Sequence, residues 1–258
     1  MIADAQDGVP RYDRIGSGYA GTRREDSRLA RLIHEALGDS RTVVNVGAGA
    51  GSYEPSDRHV IAIEPSDVMA SQRPPDLPPA VRASAGALPL RDQSVDAAMA
   101  ILTIHHWDEE QQRGVRELRR VARGPIVILT YDPEVSGRMW LMAEYLPEVA
   151  NLDLQIFPKL ETLAAWLGGT TRTEIVEIDN DTTDWTLGSF WAHPERVLDL
   201  GARKATSGFA RMPPAVVDRV TAAMRRDLES GAWDRHHGHL RDLPAFDAGL
   251  RLVVNTRD

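Results

Sequence analysis

Residues 41–66 constrain the fold of this chain more than any other segment. An apolar run, TVVNV, leads into the glycine-rich turn Gly47-Ala48-Gly49-Ala50-Gly51, and a second apolar run, VIAI, ends on the acid Glu64. Glycines let the backbone approach a ligand where a Cβ would clash. An acid at the end of the next strand can bind two ribose hydroxyls. The pattern therefore indicates an open α/β sheet with a nucleoside pocket.

The turn lacks the spacing of a dinucleotide site. Such a site needs G-x-G-x-x-G at the start of a helix whose N-terminus faces a pyrophosphate. In this chain Pro55 lies where that helix would run, and proline removes a donor and clashes with the preceding turn. We therefore expect little or no helix between these strands, which favours a ligand without phosphate. An NAD-dependent oxidoreductase remains an alternative.

Four successive segments resemble the class I S-adenosylmethionine-dependent methyltransferases. VVNVGAGAGSYE and IAIEPSDVMASQRP are similar to motifs I and II of that family. ASAGALPLRDQSVDAAMAILTIHHW is similar to the segment that packs on the adenine and then forms the fourth strand. RELRRVARGPIVILTYD is similar to the helix and strand that follow. The resemblance covers roughly residues 12–132 and is nearest to small-molecule enzymes of the ubiquinone and menaquinone biosynthesis type. Two departures are a shortened first helix and Ser84 in place of a frequent acid.

The resemblance implies a fold class and a layout. The expected fold is α/β, a Rossmann-like doubly wound seven-stranded sheet with an antiparallel C-terminal strand and extra lid helices. We expect a single domain, 1–258, with an N-terminal gate at about 10–38, an S-adenosylmethionine-binding core at about 41–132, substrate-covering helices at about 133–247 and a closing strand at about 249–255.

The apolar periodicity predicts the individual elements. Helices are expected at 27–37 (ended by Gly38), 109–121, 138–145, 159–167, 194–206 and 214–230, with one or two helical turns after residue 64. Strands are expected at 42–46, 60–63, 80–83, 95–101, 126–130, 173–178 and 249–255, the last two forming an antiparallel pair.

The resemblance also implies a set of cofactor-binding residues. They are Tyr19, Arg23, Gly47, Ala48, Gly49, Glu64, Pro65, Met69, Ser84, Ala85, Leu102 and Thr103. Tyr19 would stack or hydrogen-bond near the methionine moiety, and Arg23 would bind its carboxylate through two hydrogen bonds. A frayed, solvated terminus is the alternative for these two residues.

Candidate catalytic residues follow the fourth predicted strand. His105 and His106 have side chains suited to accepting a proton near neutral pH, although one of them could instead cap the next helix or pack under Trp107. Neighbours in extended chain point in opposite directions, so one histidine is expected to face the site, with His106 favoured by the resemblance. The candidate substrate-binding aromatic residues are Trp107, Trp185, Phe190 and Trp191, for which ordinary core packing is the alternative.

Composition limits the partners. The 258 residues carry a net charge of -8 and no basic block, which argues against nucleic acid. The chain has no cysteine, and the HHGH sequence at 236–239 fits a solvated loop better than a metal site, so no metal is expected. It shows no signal-like apolar segment or membrane span, and we expect a cytoplasmic monomer or homodimer.

The expected reaction is methyl transfer from S-adenosylmethionine to oxygen, nitrogen or carbon of a small molecule. A rearrangement or cyclisation that uses the same cofactor without methylation remains open, as does a binding protein without catalytic activity.

Overall fold

The computed structural model describes residues 23–256. Its six-stranded sheet has the order β2-β1-β3-β4-β8-β5, with β1 at Thr42–Val46, β2 at His59–Ile63, β3 at Ala97–Ile101, β4 at Ile126–Tyr131, β5 at Thr170–Ile175 and β8 at Leu250–Thr256. Strands β1 to β4 are parallel, and β8 runs antiparallel between β4 and β5. A separate antiparallel pair consists of β6, Ile178–Asp179, and β7, Ala245–Phe246.

Ten α-helices accompany these strands within residues 23–256. They are α1 Ser27–Ala36, α2 Asp67–Ala70, α3 Gln111–Val121, α4 Pro133–Ser136, α5 Pro147–Ile156, α6 Leu160–Leu167, α7 Leu200–Lys204, α8 Ser207–Ala210, α9 Pro214–Glu229 and α10 Ala232–His237. Short 3-10 helices lie at Ile104–His106, Asp108–Glu110, Leu187–Phe190, Pro194–Val197 and Gly238–Asp242, and Leu141–Tyr145 is π-helical. None of the helices in this range is long and apolar enough to cross a membrane.

The central strands are buried on both faces, because helices cover each side of the sheet. Side chains alternate between faces along a strand, so Val43 packs in one core cluster with α1 and Val44 in the other with α3. This two-sided burial explains why the central strands read as continuous apolar runs. The doubly wound architecture is as the sequence predicted.

The expectation of a seventh strand is wrong. The predicted strand at 80–83 is reduced to a single bridge, in which Val81 pairs with Ile63 at the edge of the sheet. Pro78 and Pro79 precede it and have no N–H to donate to a ladder. Val81 is also 43% exposed, so little burial stabilises a longer strand there.

The predicted absence of a helix between β1 and β2 is confirmed, since residues 47–58 form turns only. Helix α1 begins at the N-cap Asp26, whose side chain accepts a hydrogen bond from the N–H of Arg28. It ends before Gly38, which has φ of +58° and terminates the helix as predicted.

Several predicted lid elements differ from the structure. The helix expected at 138–145 is π-helical over 141–145, and the one expected at 194–206 is interrupted because Asp199 caps a new helix, α7. Helix α5 was not predicted. The strand expected at 173–178 is β5 followed by β6. The expected loop at 236–239 is helical, within α10 and the 3-10 helix that follows.

Candidate cofactor and acceptor sites

The glycine turn after β1 needs glycine for two reasons. Gly47 and Gly49 have φ of +74° and +52°, in the left-handed region that favours glycine. A Cβ on Gly47 would lie 2.0 Å from Oγ1 of Thr103. The N–H groups of Gly47 and Ala48 both donate to the carbonyl of Ile63, at 2.8 and 3.0 Å. The turn is therefore fixed to the end of β2 and pressed against the end of β3.

Glu64 lies directly after β2 and beside this turn. Its side chain is buried, with the residue 5% exposed. Oε2 accepts a hydrogen bond from the N–H of Gly49 at 2.8 Å, and Oε1 accepts one from the N–H of Ser66 at 2.8 Å. A carboxylate oxygen has two lone pairs, so a carboxylate held in this way can still accept hydrogen bonds from vicinal hydroxyls. These acceptor oxygens thus fit the hydroxyls of a ribose.

The other predicted cofactor residues are distributed as follows. Met69 is buried in α2, and its Cε lies 3.3 Å from the position that a Cβ atom would occupy if Gly49 had one. Pro65 is exposed, and Ala85 belongs to the core cluster behind α3. Ser84 is half-buried in the turn before Ala85. Tyr19 lies outside the described residues. The structure therefore brings Met69 to the glycine turn, while the roles of Pro65, Ser84 and Ala85 remain predictions.

A cavity opens at the carboxyl ends of β3 and β4, where open α/β sheets bind their ligands. Its lining combines a polar set with an apolar and aromatic one. The lining residues are Arg23, Leu102, His105, His106, Tyr131, Ser136, Met142, Asp153, Phe157, Thr186, Leu187, Gly188, Thr206, Ser207 and Gly208.

Both histidines line this cavity, so the expectation that their side chains point in opposite directions is wrong; which of them faces the methyl group stays a prediction. Residues 104–106 form a 3-10 helix and not extended chain, which places the two rings on one side with 3.8 Å between their centroids. His105 is 6% exposed and stacks on Phe157 at a centroid distance of 4.2 Å. His106 is half-buried and has the more open ring.

The backbone before the histidines is strained. Leu102 has φ of +51°, and its N–H donates to the carbonyl of Leu129 at 2.8 Å. A non-glycine residue in this region costs about 1–3 kcal/mol and persists where the surroundings enforce it, often at functional sites. This bend joins Thr103, which abuts the glycine turn, to the histidines of the cavity.

Arg23 is joined to the molecule through Asp184. Its Nη2 donates to Oδ2 of Asp184 at 3.1 Å, and its Nε donates to Oδ1 of the same carboxylate. Asp184 Oδ2 also accepts a hydrogen bond from the hydroxyl of Tyr53 at 2.8 Å. Arg23 lines the cavity, and its carboxylate partner in this structure is Asp184. A contact with the methionine carboxylate remains a prediction.

The aromatic residues predicted to bind substrate lie elsewhere. Phe190 and Trp191 are 0% exposed in the core. Trp185 packs under the guanidinium of Arg196, 4.5 Å from the ring centroid. Trp107 packs on Gly114 of α3, where a Cβ would lie 2.6 Å from its ring. None of the four lines the cavity; the segment that holds three of them supplies Thr186, Leu187 and Gly188 instead.

Eleven of the fifteen described residues that line the cavity were not predicted from the sequence, and four of them bear directly on its chemistry. Burial raises the pKa of Asp153 to about 7, although the positive charge of Arg211 opposes the rise. Burial also raises the pKa of Tyr131 to about 12, and its hydroxyl is hydrogen-bonded to Oγ1 of Thr186 at 2.8 Å. Phe157 and Ser136 complete the set. Asp153 and Phe157 were overlooked together with helix α5, whose signal is a proline at the first helical position followed by an acid.

Of the three histidines at 236–239, His237 packs against other side chains, whereas His236 and His239 are exposed. His237 lies 3.1 Å from Glu144 and contacts the rings of Trp140 and Trp233. Between residues 23 and 256 no group of three His, Asp or Glu side chains is arranged to hold a metal ion.

Comparisons with known proteins agree with this geometry. Residues 44–125 match the sequence profile of the methyltransferase domain family. A putative methyltransferase from an antibiotic biosynthesis pathway of Anabaena variabilis is similar in structure, with a TM-score of 0.83 and 29% identity over 91% of this chain and 99% of that chain. No curated protein sequence matches significantly.

More distant structures share the fold. A methyltransferase of Thermotoga maritima, described as a possible histamine N-methyltransferase, has a TM-score of 0.51 and 15% identity over 96% of this chain and 98% of that one. The [4+2]-cyclase SpnF has a TM-score of 0.55 and 17% identity over 95% and 93%. The resemblance to quinone biosynthesis enzymes stays a prediction.

The glycine turn, the acid after β2, the sheet order and the methyltransferase profile point to one conclusion. S-adenosylmethionine is the cofactor that this architecture serves. Residues 44–125 match the methyltransferase domain family, and the chain is similar in fold to class I S-adenosylmethionine-dependent methyltransferases.

Proposed function

We propose that this protein transfers a methyl group from S-adenosylmethionine to an oxygen, nitrogen or carbon atom of a small molecule bound in the cavity of His105 and His106. The observation that carries the proposal is the continuity of residues 102–106. Thr103 abuts Gly47 of the glycine turn, and the histidines two and three residues later line the cavity. One short segment thus borders both sites.

The cofactor side of this arrangement is supported by fixed donors and acceptors. Glu64 would accept hydrogen bonds from the ribose hydroxyls, and the glycines would let the backbone pass close to the ligand. The cofactor supplies a methyl group already activated by its sulfonium. The task of the protein is then to hold the acceptor in line with that methyl group and keep it there.

The acceptor loses a proton when oxygen, nitrogen or an acidic carbon is methylated. His106 is our candidate for accepting it, because its ring is half-buried in the cavity wall, whereas Phe157 stacks on the ring of His105. A neutral imidazole accepts a proton near pH 7. Positioning alone accounts for much of the acceleration in such a reaction.

A calorimetric titration of the purified protein with S-adenosylmethionine, using NAD for comparison, tests the cofactor. Saturable binding of S-adenosylmethionine without binding of NAD supports the proposal, and the opposite result overturns it. Mass spectrometry of acceptor mixtures then tests the reaction. A product heavier by one methylene group supports methylation; a cofactor-dependent product of unchanged mass would mean rearrangement or cyclisation.

The two histidines are separable by substitution. His106→Ala should lower kcat by about 10²–10⁴-fold, the usual contribution of a general base, while the Kd of S-adenosylmethionine changes little. His105→Ala should weaken acceptor binding more than it lowers kcat, because the stack on Phe157 is lost. If only His105→Ala lowers kcat, the roles are reversed.

A further inference from the structure

The cavity has two polar side chains with no internal partner. Asp153 lies on α5, one turn before Phe157, and its carboxylate forms no hydrogen bond or ion pair with any other residue between 23 and 256. Ser136, at the end of α4, is 1% exposed, and its Oγ has no hydrogen-bond partner in that part of the chain. Both residues line the same cavity, and α4 packs against α5.

Buried polar groups in proteins are almost always hydrogen-bonded, so the unpartnered Oγ of Ser136 indicates a ligand that supplies the missing partner. Asp153 is half-buried and faces the same cavity, where the same ligand can reach its carboxylate. A carboxylate can only accept hydrogen bonds, and a serine hydroxyl can both accept and donate. Above pH 7, where Asp153 is ionised, the group that satisfies it must therefore be a donor, either O–H or N–H.

The remaining cavity wall shows what the rest of the ligand is like. Leu102, Met142 and Leu187 contribute apolar surface, and the rings of Tyr131 and Phe157 meet edge to face with 6.3 Å between centroids. Such a wall matches an apolar or aromatic body.

The charges around Asp153 are limited in number. Arg211 acts on it electrostatically, His105 and His106 line the same cavity, and Arg23 is already bound by Asp184 through two hydrogen bonds. A ligand carboxylate would be repelled by the negative charge of Asp153, which opposes its attraction to Arg211. A hydroxyl or amino group would instead donate a hydrogen bond to the carboxylate of Asp153.

We infer that Asp153, assisted by Ser136, recognises the methyl acceptor, and that this acceptor is a small molecule with an apolar body and a hydroxyl or amino group that donates a hydrogen bond to Asp153. The inference rests on the proposed function, because it assigns the acceptor class of the same site. Asp153 is a specificity-determining residue in this scheme, and His106 remains the proton acceptor.

Three probes with the same ring test the inference, namely benzyl alcohol, benzylamine and benzoate. Their binding to the protein saturated with S-adenosylhomocysteine is measured by ligand-observed NMR at pH 8. We expect the alcohol and the amine to bind the wild type about 10- to 100-fold more tightly than benzoate, the range for one charge-assisted hydrogen bond. Asp153→Asn should remove this preference, and Ser136→Ala should reduce it severalfold.

The control is Asp218→Asn, which removes an exposed carboxylate from α9 and should leave the preference unchanged. Equal binding of the probes by wild type and Asp153→Asn would overturn the inference, as would tightest binding of benzoate or no binding of any probe. Calorimetry with S-adenosylmethionine on the same variants separates this from the proposed function. If the wild type binds the probes but not S-adenosylmethionine, the proposed function fails. The role of Asp153 in binding the probes is then judged separately, from the probe preference of wild type and Asp153→Asn.

Discussion

The assignment of S-adenosylmethionine as cofactor depends most directly on Glu64. The Glu64→Ala variant removes both carboxylate oxygens from the end of β2 and leaves the N–H groups of Gly49 and Ser66 without their acceptor. We expect the binding free energy of S-adenosylmethionine to weaken by about 1.5–3 kcal/mol, the range for hydrogen bonds to a charged group. Calorimetric titration measures the change.

Asp67→Ala is the matched control for this substitution. Asp67 is an exposed carboxylate three residues further along the chain, and it pairs with Arg82 at the surface. Its loss should leave the Kd of S-adenosylmethionine nearly unchanged. If Glu64→Ala also leaves that Kd unchanged, Glu64 does not contact the ribose.

Asp153 should make the stability of the protein depend on pH. Its pKa in the folded protein is raised to about 7 by burial, against about 3.9 in an unfolded chain. Between these values the folded state keeps a proton that the unfolded state has released, so this residue lowers the free energy of unfolding as the pH rises. Asp153→Asn should therefore become progressively more stable than the wild type from about pH 4 to pH 7.

Urea unfolding of the wild type and of Asp153→Asn at several pH values checks this expectation, and the difference between them isolates Asp153 from the other titrating groups. Asp218→Asn, at an exposed position, should show no such trend. A difference that stays constant with pH would mean that Asp153 titrates at its ordinary value in the folded state.

The loop at 47–58 replaces the helix that usually follows such a glycine turn. A buried ion pair holds it, with Arg73 Nη2 2.7 Å from Oε2 of Glu54 and side chains that are 3% and 1% exposed. Asn45 of β1 donates to the same carboxylate at 2.9 Å. Arg73→Ala should lower the free energy of unfolding by about 3–5 kcal/mol, because it leaves the charge of Glu54 buried without its partner.

Arg82→Ala provides the comparison, because Arg82 comes from the same connecting segment but pairs with Asp67 in the open. Exposed pairs contribute only about 0–1 kcal/mol. Both variants are measured by urea unfolding. Equal effects on the two free energies of unfolding would show that the Arg73 pair contributes no more than a surface contact.

The elements of the first half of the sheet were predictable from sequence because burial and local pattern agree there. Strands β1 to β4 are apolar runs that the sheet buries on both faces, and Pro55 correctly excluded a helix. Residues at the carboxyl ends of parallel strands meet at one edge of the sheet. Glu64 and Thr103 follow such strands, which is why both could be placed beside the glycine turn.

The cavity lined by His105 and His106 was harder to predict, because its walls come from short elements whose form depends on tertiary packing. Two histidines in sequence gave no sign of a 3-10 turn, so the expected opposite orientation was wrong. Helix α5 begins at Pro147, which is also a common helix breaker, and its Asp153 was not recognised. The aromatic residues Phe190 and Trp191 fill the core, as large apolar side chains commonly do.

Asp184 joins parts of the chain that lie far apart in sequence. It binds the guanidinium of Arg23 and the hydroxyl of Tyr53, which belongs to the loop after the glycine turn. Two residues later, Thr186 is hydrogen-bonded to the hydroxyl of Tyr131 at the end of β4. The loop at 47–58, which begins with the glycine turn, and the cavity wall are therefore connected through residues 184–186.

Asp184→Asn tests that connection. The change leaves Arg23 without the carboxylate that neutralises it, and breaking a buried pair in this way costs about 3–5 kcal/mol of unfolding free energy. We also expect weaker binding of S-adenosylmethionine, because Tyr53 then loses a charged acceptor and its loop is held less firmly. Asp181→Asn removes an exposed carboxylate, 81% accessible, that pairs with Arg28, and should change stability by no more than about 0.5 kcal/mol. If Asp184→Asn lowers stability while the Kd of S-adenosylmethionine stays the same, Asp184 supports the fold but does not link the cavity to the loop at 47–58.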